Sequence, residues 1–266
     1  MKGISLYSVT PVRTEASEAA EQSTQILFGE TFAILEQKPR WTRVKLDSDG
    51  QEGWVDAKMI CPMKPEEYAS YRKALETAAT VVMPMTYAVS ENNGQTIPLT
   101  AGTRLTNYKN GRFEVLGVSF RIDPCMVRAE SPDLNEQNLL QAVRFFLNIP
   151  YLWGGKNAMG MDCSGFTQII LSLFGKKLPR NASEQATCGR KISSLSKVKA
   201  GDLVFFNHQL SMTNEQSPIT HVGIVIDAER VIHCSGRVKV EKLDETGIFN
   251  AETGQYSHHL VTIRRI

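Results

Sequence analysis

The sequence predicts a multidomain protein in which two small all-β barrels precede an α+β domain. Three observations support this fold class. The chain has 266 residues, which suits one large domain or two to three small ones. Residues 1–130 contain short strand-like segments broken by turn residues. Helical and strand patterns then mix from residue 131 to the end of the chain.

Residues 1–62 are predicted to form the first barrel. Strand-sized segments rich in β-branched and aromatic residues alternate with turn residues; they are Thr31–Leu35, Trp41–Leu46 and Gly53–Val55. Short strands at this spacing favour a small all-β barrel. The order of four landmarks resembles a bacterial SH3-like barrel: Pro11-Val12-Arg13, Phe28-Gly29-Glu30, Trp41 and Gly53-Trp54-Val55.

Residues 63–79 are predicted to form a helical connector, because Pro65 and the two acidic residues after it suit the first turn of a helix. Residues 80–130 return to strand patterns interrupted by Asn93-Gly94 and Asn110-Gly111. Asn-Gly is a strong turn signal. We therefore expect a second SH3-like barrel here, although it lacks the Gly-Trp landmark of the first.

Residues 131–266 are predicted to form the α+β domain. Asp133, with Glu136 three residues later, resembles a helix-capping box. Pro150 ends the helix that this start predicts. One apolar face runs along it, made of Leu139, Leu140, Val143, Phe146 and Leu147.

Charge and hydropathy argue against several classes of function. Thirty basic and 28 acidic residues leave a net charge of +2, so we expect neither nucleic acid nor membrane as a partner. No stretch reaches the ~18 apolar residues of a transmembrane helix. The amino end has no apolar stretch typical of a signal peptide. We expect a cytoplasmic protein, or a periplasmic or secreted one if an upstream leader has been removed.

The five cysteines are scattered and include no CxxC pair, which argues against a disulfide framework and a structural zinc site. Cys163 is the candidate nucleophile among these thiols, because an amphipathic helix begins at or beside it. The positive end of the helix dipole and free N–H groups favour a thiolate there. The alternative is a small, buried apolar residue. The apolar face of this helix comprises Phe166, Ile169, Ile170, Leu173 and Phe174.

Two histidines lie on a predicted β-hairpin, and a thiol nucleophile needs a base and an orienting group. His221 begins one strand and His233 lies on the next, after a polar turn at residues 227–230. A two-residue loop alone would put the two side chains on opposite faces of the hairpin. If the pair is catalytic, we therefore predict an odd-length loop or a bulge. The alternative is two partly buried histidines with ordinary hydrogen bonds. A third histidine, His208, lies in a polar loop that could border a cleft.

These motifs together resemble the NlpC family of papain-like cysteine peptidases. The core of the resemblance is Asp162-Cys163-Ser164-Gly165-Phe166, His221-Val222-Gly223-Ile224 and His233. Flanking features agree, namely Tyr151-x-Trp153-Gly154-Gly155, Pro179-Arg180-x-x-Ser183-x-Gln185 and residues 201–206. Two SH3-like barrels before the peptidase domain resemble the dipeptidyl-peptidase VI branch. Members of that branch cut the γ-D-glutamyl bond to the L-diamino acid in murein peptides that carry a free amino-terminal L-alanine.

The resemblance implies acyl transfer without a metal or other cofactor. Cys163 would attack the γ-carbonyl of D-glutamate, and His221 would take the thiol proton and later protonate the leaving amine. His233 would hold the ring of His221 in the useful tautomer. Tyr151 would hydrogen-bond the oxyanion or the substrate, beside the backbone N–H of the nucleophile.

The resemblance also implies which residues bind the substrate. Asp162 and Ser164 would bind the free ammonium, although Asp162 could instead cap the helix. Glu15 is the candidate acid from the first barrel, and a solvated loop glutamate is the alternative. Trp153 and Ser183 would line or shape the pocket; the alternatives are a core tryptophan and a helix cap. Gln51 stands where the branch has a tyrosine, which puts the barrel's share of the amine pocket in doubt.

Several hypotheses remain open from the sequence. The leading one is a γ-D-glutamyl-L-diamino acid endopeptidase (L-lysine or diaminopimelate) that recycles small murein peptides. A second is a hydrolase of intact cell wall, with the barrels binding the polymer. A third is a wall-binding protein with an inactive peptidase domain, and a fourth is an acyltransferase that uses the same triad.

Overall fold

The computed structural model describes residues 1–207 and 218–266, and the chain divides into two compact units. Unit 1 is Met1–Ser131 with Trp153–Ala158, and unit 2 is Pro132–Leu152 with Met159–Ile266. His208, predicted to lie in a polar loop, falls outside the described residues. Within the described ranges, no helix is both long and apolar enough to cross a membrane.

The first part of unit 1 is a seven-stranded antiparallel sheet with the order β3-β2-β6-β5-β4-β1-β7. Its core-facing side chains alternate along the strands, as the predicted barrel requires. In β5, for example, Val44 and Leu46 are buried and Arg43 and Lys45 are exposed. The strands are β1 (Lys2–Ile4), β2 (Val9–Arg13), β3 (Gln22–Leu27), β4 (Thr31–Gln37), β5 (Trp41–Leu46), β6 (Glu52–Asp56) and β7 (Cys61–Met63).

Helix α1 (Pro65–Ala74) follows and starts at the predicted Pro65. Its buried Tyr71 donates a hydrogen bond to the Gly29 carbonyl of the first sheet, which ties the helix to that sheet. A four-stranded sheet, β10-β9-β13-β12, and a three-stranded sheet, β11-β8-β14, complete the unit. Their strands are β8 (Ala79–Val81), β9 (Met85–Ser90), β10 (Thr96–Thr100), β11 (Arg104–Leu105), β12 (Arg112–Val115), β13 (Val118–Ile122) and β14 (Val127–Arg128).

The two β segments of unit 1 share one apolar core. Phe113 stacks on Phe120 at 5.1 Å, and Phe28 from the first segment meets Phe120 edge-on at 5.8 Å. Ile4, Met63 and residues of both later sheets belong to the same cluster. The second segment is therefore stabilised by packing on the first as well as by its own hydrogen bonds.

Helix α2 (Glu136–Val143) opens unit 2, and two details of its prediction are wrong. Asn135, not Asp133, is the N-cap, because its side chain accepts a hydrogen bond from the Asn138 N–H. The helix ends at Val143 rather than continuing towards Pro150. Leu139, Val143 and Phe146 are buried as predicted, whereas Leu140 and Leu147 are exposed, so the apolar face is narrower than expected.

A seven-stranded antiparallel sheet forms the core of unit 2, in the order β17-β23-β18-β19-β20-β21-β22. A further pairing of β22 with β23 closes the last six strands into a barrel. Helix α3 (Cys163–Ser172) packs against β19 and β20. Every residue of the predicted apolar face is buried, but Leu173 and Phe174 lie just beyond the end of the helix. The strands are β17 (Arg190–Ile192), β18 (Leu203–Asn207), β19 (His221–Asp227), β20 (Arg230–Ser235), β21 (Arg237–Leu243), β22 (Gly247–Asn250) and β23 (Gln255–Arg265).

Short elements complete the described chain. Two strands of two residues lie between α2 and α3, and a one-turn helix follows α3. They are β15 (Lys156–Asn157), β16 (Gly160–Met161) and α4 (Ala182–Gln185). Single 3-10 turns occur at Ala57–Met59, Leu75–Thr77, Pro124–Met126 and Leu195–Lys197.

Candidate active site

Cys163 is the first residue of α3, as the periodicity predicted. Asp162 caps the helix, since its carboxylate accepts a hydrogen bond from the Gly165 N–H at 2.7 Å. Cys163 itself is buried. Helix α3 packs on β19, and the Cys163 sulfur lies by the backbone N–H of Val222, the residue that follows His221 on that strand.

The thiol does not have the depressed pKa that a helix start alone would favour. Burial, together with the adjacent Asp162 carboxylate, raises the pKa of Cys163 to about 11. The backbone N–H groups of Val222 and Ser164 act in the opposite direction but do not outweigh burial. The sulfur is therefore protonated at neutral pH, and its activation needs a base that accepts the proton.

The hairpin of β19 and β20 contains the bulge that the parity argument required, so this prediction is confirmed. Asp227 pairs with Arg230 across a two-residue loop, and the register shifts between Val225 and Asp227. Gly223 then pairs directly with His233, which brings that side chain to the face of His221. The Nε2 atom of His221 lies 2.8 Å from the Nδ1 atom of His233, and both rings are buried.

Glu241 on β21 contacts the far side of the histidine pair. Its Oε2 atom lies 2.8 Å from the Nε2 atom of His233 and 3.0 Å from the Nζ atom of Lys239. Burial lowers the pKa of His233, and the Glu241 carboxylate opposes this effect without cancelling it. Burial alone would raise the pKa of Glu241, but the hydrogen bonds from His233 and Lys239 lower it.

His258 on β23 is a third buried histidine at the pair. Its ring centroid lies 4.1 Å from that of His221, with an interplanar angle of 31°, and 5.6 Å from that of His233. Its Nδ1 atom is 2.8 Å from the Ser257 hydroxyl. Sequence reasoning gave His258 no role, because only the barrel closure at β22 and β23 brings it here.

Asp162 is held by a buried ion pair that sequence reasoning also missed. The Arg180 guanidinium donates two hydrogen bonds to the Asp162 carboxylate, at 3.0 and 2.5 Å. The same guanidinium donates to the Ser164 hydroxyl at 2.8 Å. Asp162 and Arg180 are only 5% and 2% exposed, so their charges are largely removed from water. Both residues were visible in the sequence motifs, but their pairing was not.

Gln185 ties the same helix start to the segment after α3. Its amide donates to the carbonyls of Ser164 and Pro179, and its oxygen accepts from the Thr167 hydroxyl at 2.7 Å. Ser183, two residues before Gln185, is exposed and lies inside α4. The cap of α4 is Asn181, so the alternative of Ser183 as a helix cap is wrong.

Tyr151 is half-buried, and its main chain is fixed by a hydrogen bond from its N–H to the Gly236 carbonyl. Burial raises the pKa of Tyr151 well above its usual value, and the nearby Asp162 carboxylate, or a thiolate at Cys163, acts in the same direction. The phenol therefore keeps its proton and can donate a hydrogen bond. Cys234, the neighbour of His233, donates to the Met161 carbonyl at 3.1 Å, next to Asp162.

Trp153, Glu15 and Gln51 belong to unit 1. Trp153 is 60% exposed, which rules out the alternative of a core tryptophan, and its indole N–H donates to the Glu21 carboxylate. Glu15 is exposed in the loop between β2 and β3. Gln51 is partly buried, and its backbone N–H donates to the Asp49 carboxylate at 3.0 Å. The described residues contain no group of three or more histidine, cysteine or acidic side chains arranged to hold a metal ion.

Comparison with known proteins agrees with this geometry. Residues 148–260 match the NlpC/P60 family, and residues 12–60 match the bacterial dipeptidyl-peptidase SH3 domain. A γ-D-glutamyl-L-lysine dipeptidyl-peptidase of Bacillus subtilis (strain 168) is 30% identical over 79% of this chain and 71% of its own. A second γ-D-glutamyl-L-lysine dipeptidyl-peptidase, from Bacillus cereus (strain ATCC 10987 / NRS 248), is 23% identical over 82% of this chain and 68% of its own.

Solved structures show the same fold. An NlpC/P60 family protein from Bacillus cereus ATCC 10987 superposes with a TM-score of 0.82 at 19% identity, over 100% of this chain and 99% of its own. An NlpC/P60 endopeptidase from Photobacterium damselae subsp. piscicida superposes with a TM-score of 0.73 at 14% identity, over 98% of this chain and 72% of its own. The family match over the segment that contains the cysteine and both histidines, together with the 30% identity to the Bacillus subtilis relative, shows that this chain belongs to the NlpC/P60 family.

Proposed function

We propose that this protein is a cysteine endopeptidase that cleaves the γ-D-glutamyl-L-diamino acid bond of small murein peptides with a free amino-terminal L-alanine. The carrying observation is the buried thiol of Cys163 at the start of α3, which packs against the strand that begins with His221; the ring of His221 is in turn within hydrogen-bond distance of the ring of His233 on the next strand. The names of two relatives that span most of this chain support γ-D-glutamyl-L-lysine as the bond's flanking residues. Recycling of murein peptides in the cytoplasm is part of the proposal.

The first half-reaction forms a thioester. The Cys163 sulfur attacks the γ-carbonyl carbon of D-glutamate while His221 accepts the thiol proton. The negative charge that develops on the carbonyl oxygen is met by the backbone N–H of Cys163 and the protonated Tyr151 hydroxyl. His221 then donates its proton to the leaving α-amine of the diamino acid as the C–N bond breaks.

The second half-reaction releases the dipeptide. Water attacks the thioester carbon and gives a proton to His221, the C–S bond breaks, and the sulfur recovers its proton. No redox step or external cofactor is needed for this balance. Each half-reaction passes through a cationic imidazole pair, which is why the groups around His221 and His233 matter for the rate.

Recognition of the free amine is a separate part of the proposal. Asp162 and Ser164 are the candidates, yet both are already bound by Arg180. The Asp162–Arg180 pair carries no net charge, so the ammonium would bind the remaining lone pairs of a neutralised carboxylate. Discrimination by charge then requires another acid, for which Glu15 stays the candidate. Trp153 and Ser183 stay candidates for shaping the pocket.

The experiment compares L-Ala-γ-D-Glu-L-Lys with its N-acetylated form by mass spectrometry of the products, with Cys163→Ala as the inactive control. We expect Ala-γ-D-Glu and lysine from the free peptide only, and no product from the variant. Equal turnover of both peptides would refute the free-amine requirement. Turnover by Cys163→Ala would refute the nucleophile. A diaminopimelate peptide in the same panel determines the preference at the second position.

A hydrolase of intact cell wall, the second sequence hypothesis, is tested with purified sacculi in the same assay. Soluble products from sacculi, without cleavage of the tripeptide, would favour that hypothesis over ours. An amide formed when an amine such as glycinamide is added would identify an acyltransferase instead.

A further inference from the structure

We propose that Glu241 is a positioning residue of this active site: it fixes the tautomers of His233 and His221 so that the lone pair of His221 is on Nδ1. Glu241 touches neither the thiol nor the peptide, and it acts through His233. The inference rests on the proposed function for its kinetic test, whereas its tautomer test is independent of any activity.

The contact is direct, and it joins a buried ring to a largely buried carboxylate. In the β20–β21 pairing His233 lies opposite Lys239, and Glu241 lies two residues further along the same face. The Oε2 atom of Glu241 reaches the Nε2 atom of His233 at 2.8 Å. The other ring nitrogen of His233, Nδ1, lies 2.8 Å from the Nε2 atom of His221. His233 is fully buried, so no solvent reaches its ring nitrogens.

The hydrogen bonds fix where the protons are. An ionised carboxylate only accepts hydrogen bonds, so Nε2 of His233 must carry the proton in that contact. In the neutral ring Nδ1 then has a lone pair and accepts, which makes Nε2 of His221 the donor in the next contact. Neutral His221 with a proton on Nε2 has its lone pair on Nδ1. His221 can therefore accept the proton of Cys163 only at Nδ1.

The same chain of contacts also distributes charge. When His221 takes the proton from Cys163, a cation forms among buried groups, and the Glu241 carboxylate stabilises it from the far side of His233. Lys239 opposes this effect, because its ammonium lies 3.0 Å from Glu241. His258 on β23 is a further titratable group that the structure places against the two rings, with its ring tilted by 31° over that of His221. Glu241 and Lys239 therefore act with opposite signs on one imidazole pair.

Opposite signs give a sharp kinetic test on the full chain. Glu241→Gln keeps a hydrogen-bond acceptor and removes the negative charge, whereas Lys239→Met removes the positive one. We expect the acid limb of the kcat/KM profile to move down by about one pH unit in Glu241→Gln and up in Lys239→Met. We also expect kcat of Glu241→Gln to fall roughly tenfold or more with little change in KM. Coincident profiles, or shifts of the same sign, would overturn the proposal.

Glu252→Gln is the matched control. Glu252 pairs with Arg237 at 3.8 Å in the same unit, but both side chains are more than half exposed. Its removal changes the net charge of the protein by the same amount, so any general effect of charge would appear in this variant too. We expect its pH profile to coincide with that of the unchanged protein.

The tautomers themselves are measured by ¹⁵N NMR of the histidine side chains, with signals assigned from single His→Gln variants. We expect both His233 and His221 with the proton on Nε2 in the unchanged protein, and mixed tautomers of His233 in Glu241→Leu. A proton on Nδ1 of His233 in the unchanged protein would refute the role of Glu241. Absence of peptide cleavage with the expected tautomers would instead refute the proposed function alone.

Discussion

Replacing Arg180 with methionine should loosen the start of α3 and so displace the nucleophile. Arg180 is 2% exposed and donates to both carboxylate oxygens of Asp162 and to the Ser164 hydroxyl. Methionine fills a similar volume but donates nothing. The Asp162 carboxylate would remain buried without its cationic partner, although it still accepts hydrogen bonds from the Gly165 N–H and the Ser164 hydroxyl.

The magnitude follows from the burial of both charges. Removing one partner of a buried ion pair costs about 3–5 kcal/mol, because the other charge is left unpaired in a poorly solvated site. Asp162→Asn alone should cost a comparable amount, since it removes the carboxylate that neutralises the buried guanidinium. The double variant leaves no unpaired charge and should lose less than the sum of the two, with a coupling of about 2 kcal/mol or more.

Hydrogen exchange of the α3 amides, read by mass spectrometry, measures this loss where it occurs. All three tryptophans of the chain, Trp41, Trp54 and Trp153, lie in unit 1, so their fluorescence reports on the other unit. We expect faster exchange in α3 of Arg180→Met and an unchanged urea transition by fluorescence. Protection in α3 within about 1 kcal/mol of the unchanged protein would refute the reasoning.

Arg265→Met is a matched comparison for this test. Arg265 also donates two hydrogen bonds to a buried carboxylate, that of Asp202, at 2.7 and 2.6 Å. This pair joins β23 to the segment before β18 and does not touch α3. We expect exchange to rise around β18 and β23, so that the effect on α3 distinguishes the position of Arg180 from the general cost of breaking an ion pair.

Two further predictions concern the thiol and the hairpin. The first is alkylation of Cys163 by iodoacetamide in His221→Ala, which lacks the base. Because the pKa of Cys163 is raised to about 11, we expect the reaction to be slow at pH 7 and faster as the pH rises towards 11. A rate that reaches its plateau below pH 9 would contradict this expectation. The second is Gly223→Val, which should lower kcat/KM by roughly tenfold or more. A Cβ at this position would lie 2.6 Å from Val231 Cγ2 and 3.1 Å from His233 Cβ, so the hairpin would have to shift. Unchanged kinetics would show that the strand tolerates the side chain.

Local features of the site could be predicted from the sequence. The helix at Cys163 follows from apolar residues three and four apart, and every residue of that face is buried. The bulge in the β19–β20 hairpin follows from the alternation of side chains along a strand, given that His221 and His233 act together. Both features depend only on residues that are neighbours in the chain or are joined by one tight turn.

Side chains that meet only through the tertiary fold of unit 2 could not be predicted in this way. Arg180 meets Asp162 across 18 positions of sequence, and His258 reaches His221 only because β23 pairs with β18 and β22. Glu241 is the intermediate case. A tight turn at Gly236 would have placed residues 239 and 241 on the face of His233. Of these two residues only Glu241 can accept a hydrogen bond from the histidine ring.

The high pKa of Cys163 connects these findings. A helix start was expected to supply the thiolate, yet burial and the Asp162 carboxylate outweigh the N–H groups there. The free energy for removing the proton must therefore come from the imidazole pair. Arg180 lowers the cost by neutralising Asp162 beside the sulfur, and Glu241 stabilises the cation on the histidines. The two acids act on opposite sides of the same proton transfer: Asp162 is neutralised by Arg180, whereas Glu241, opposed by Lys239, stabilises the product cation.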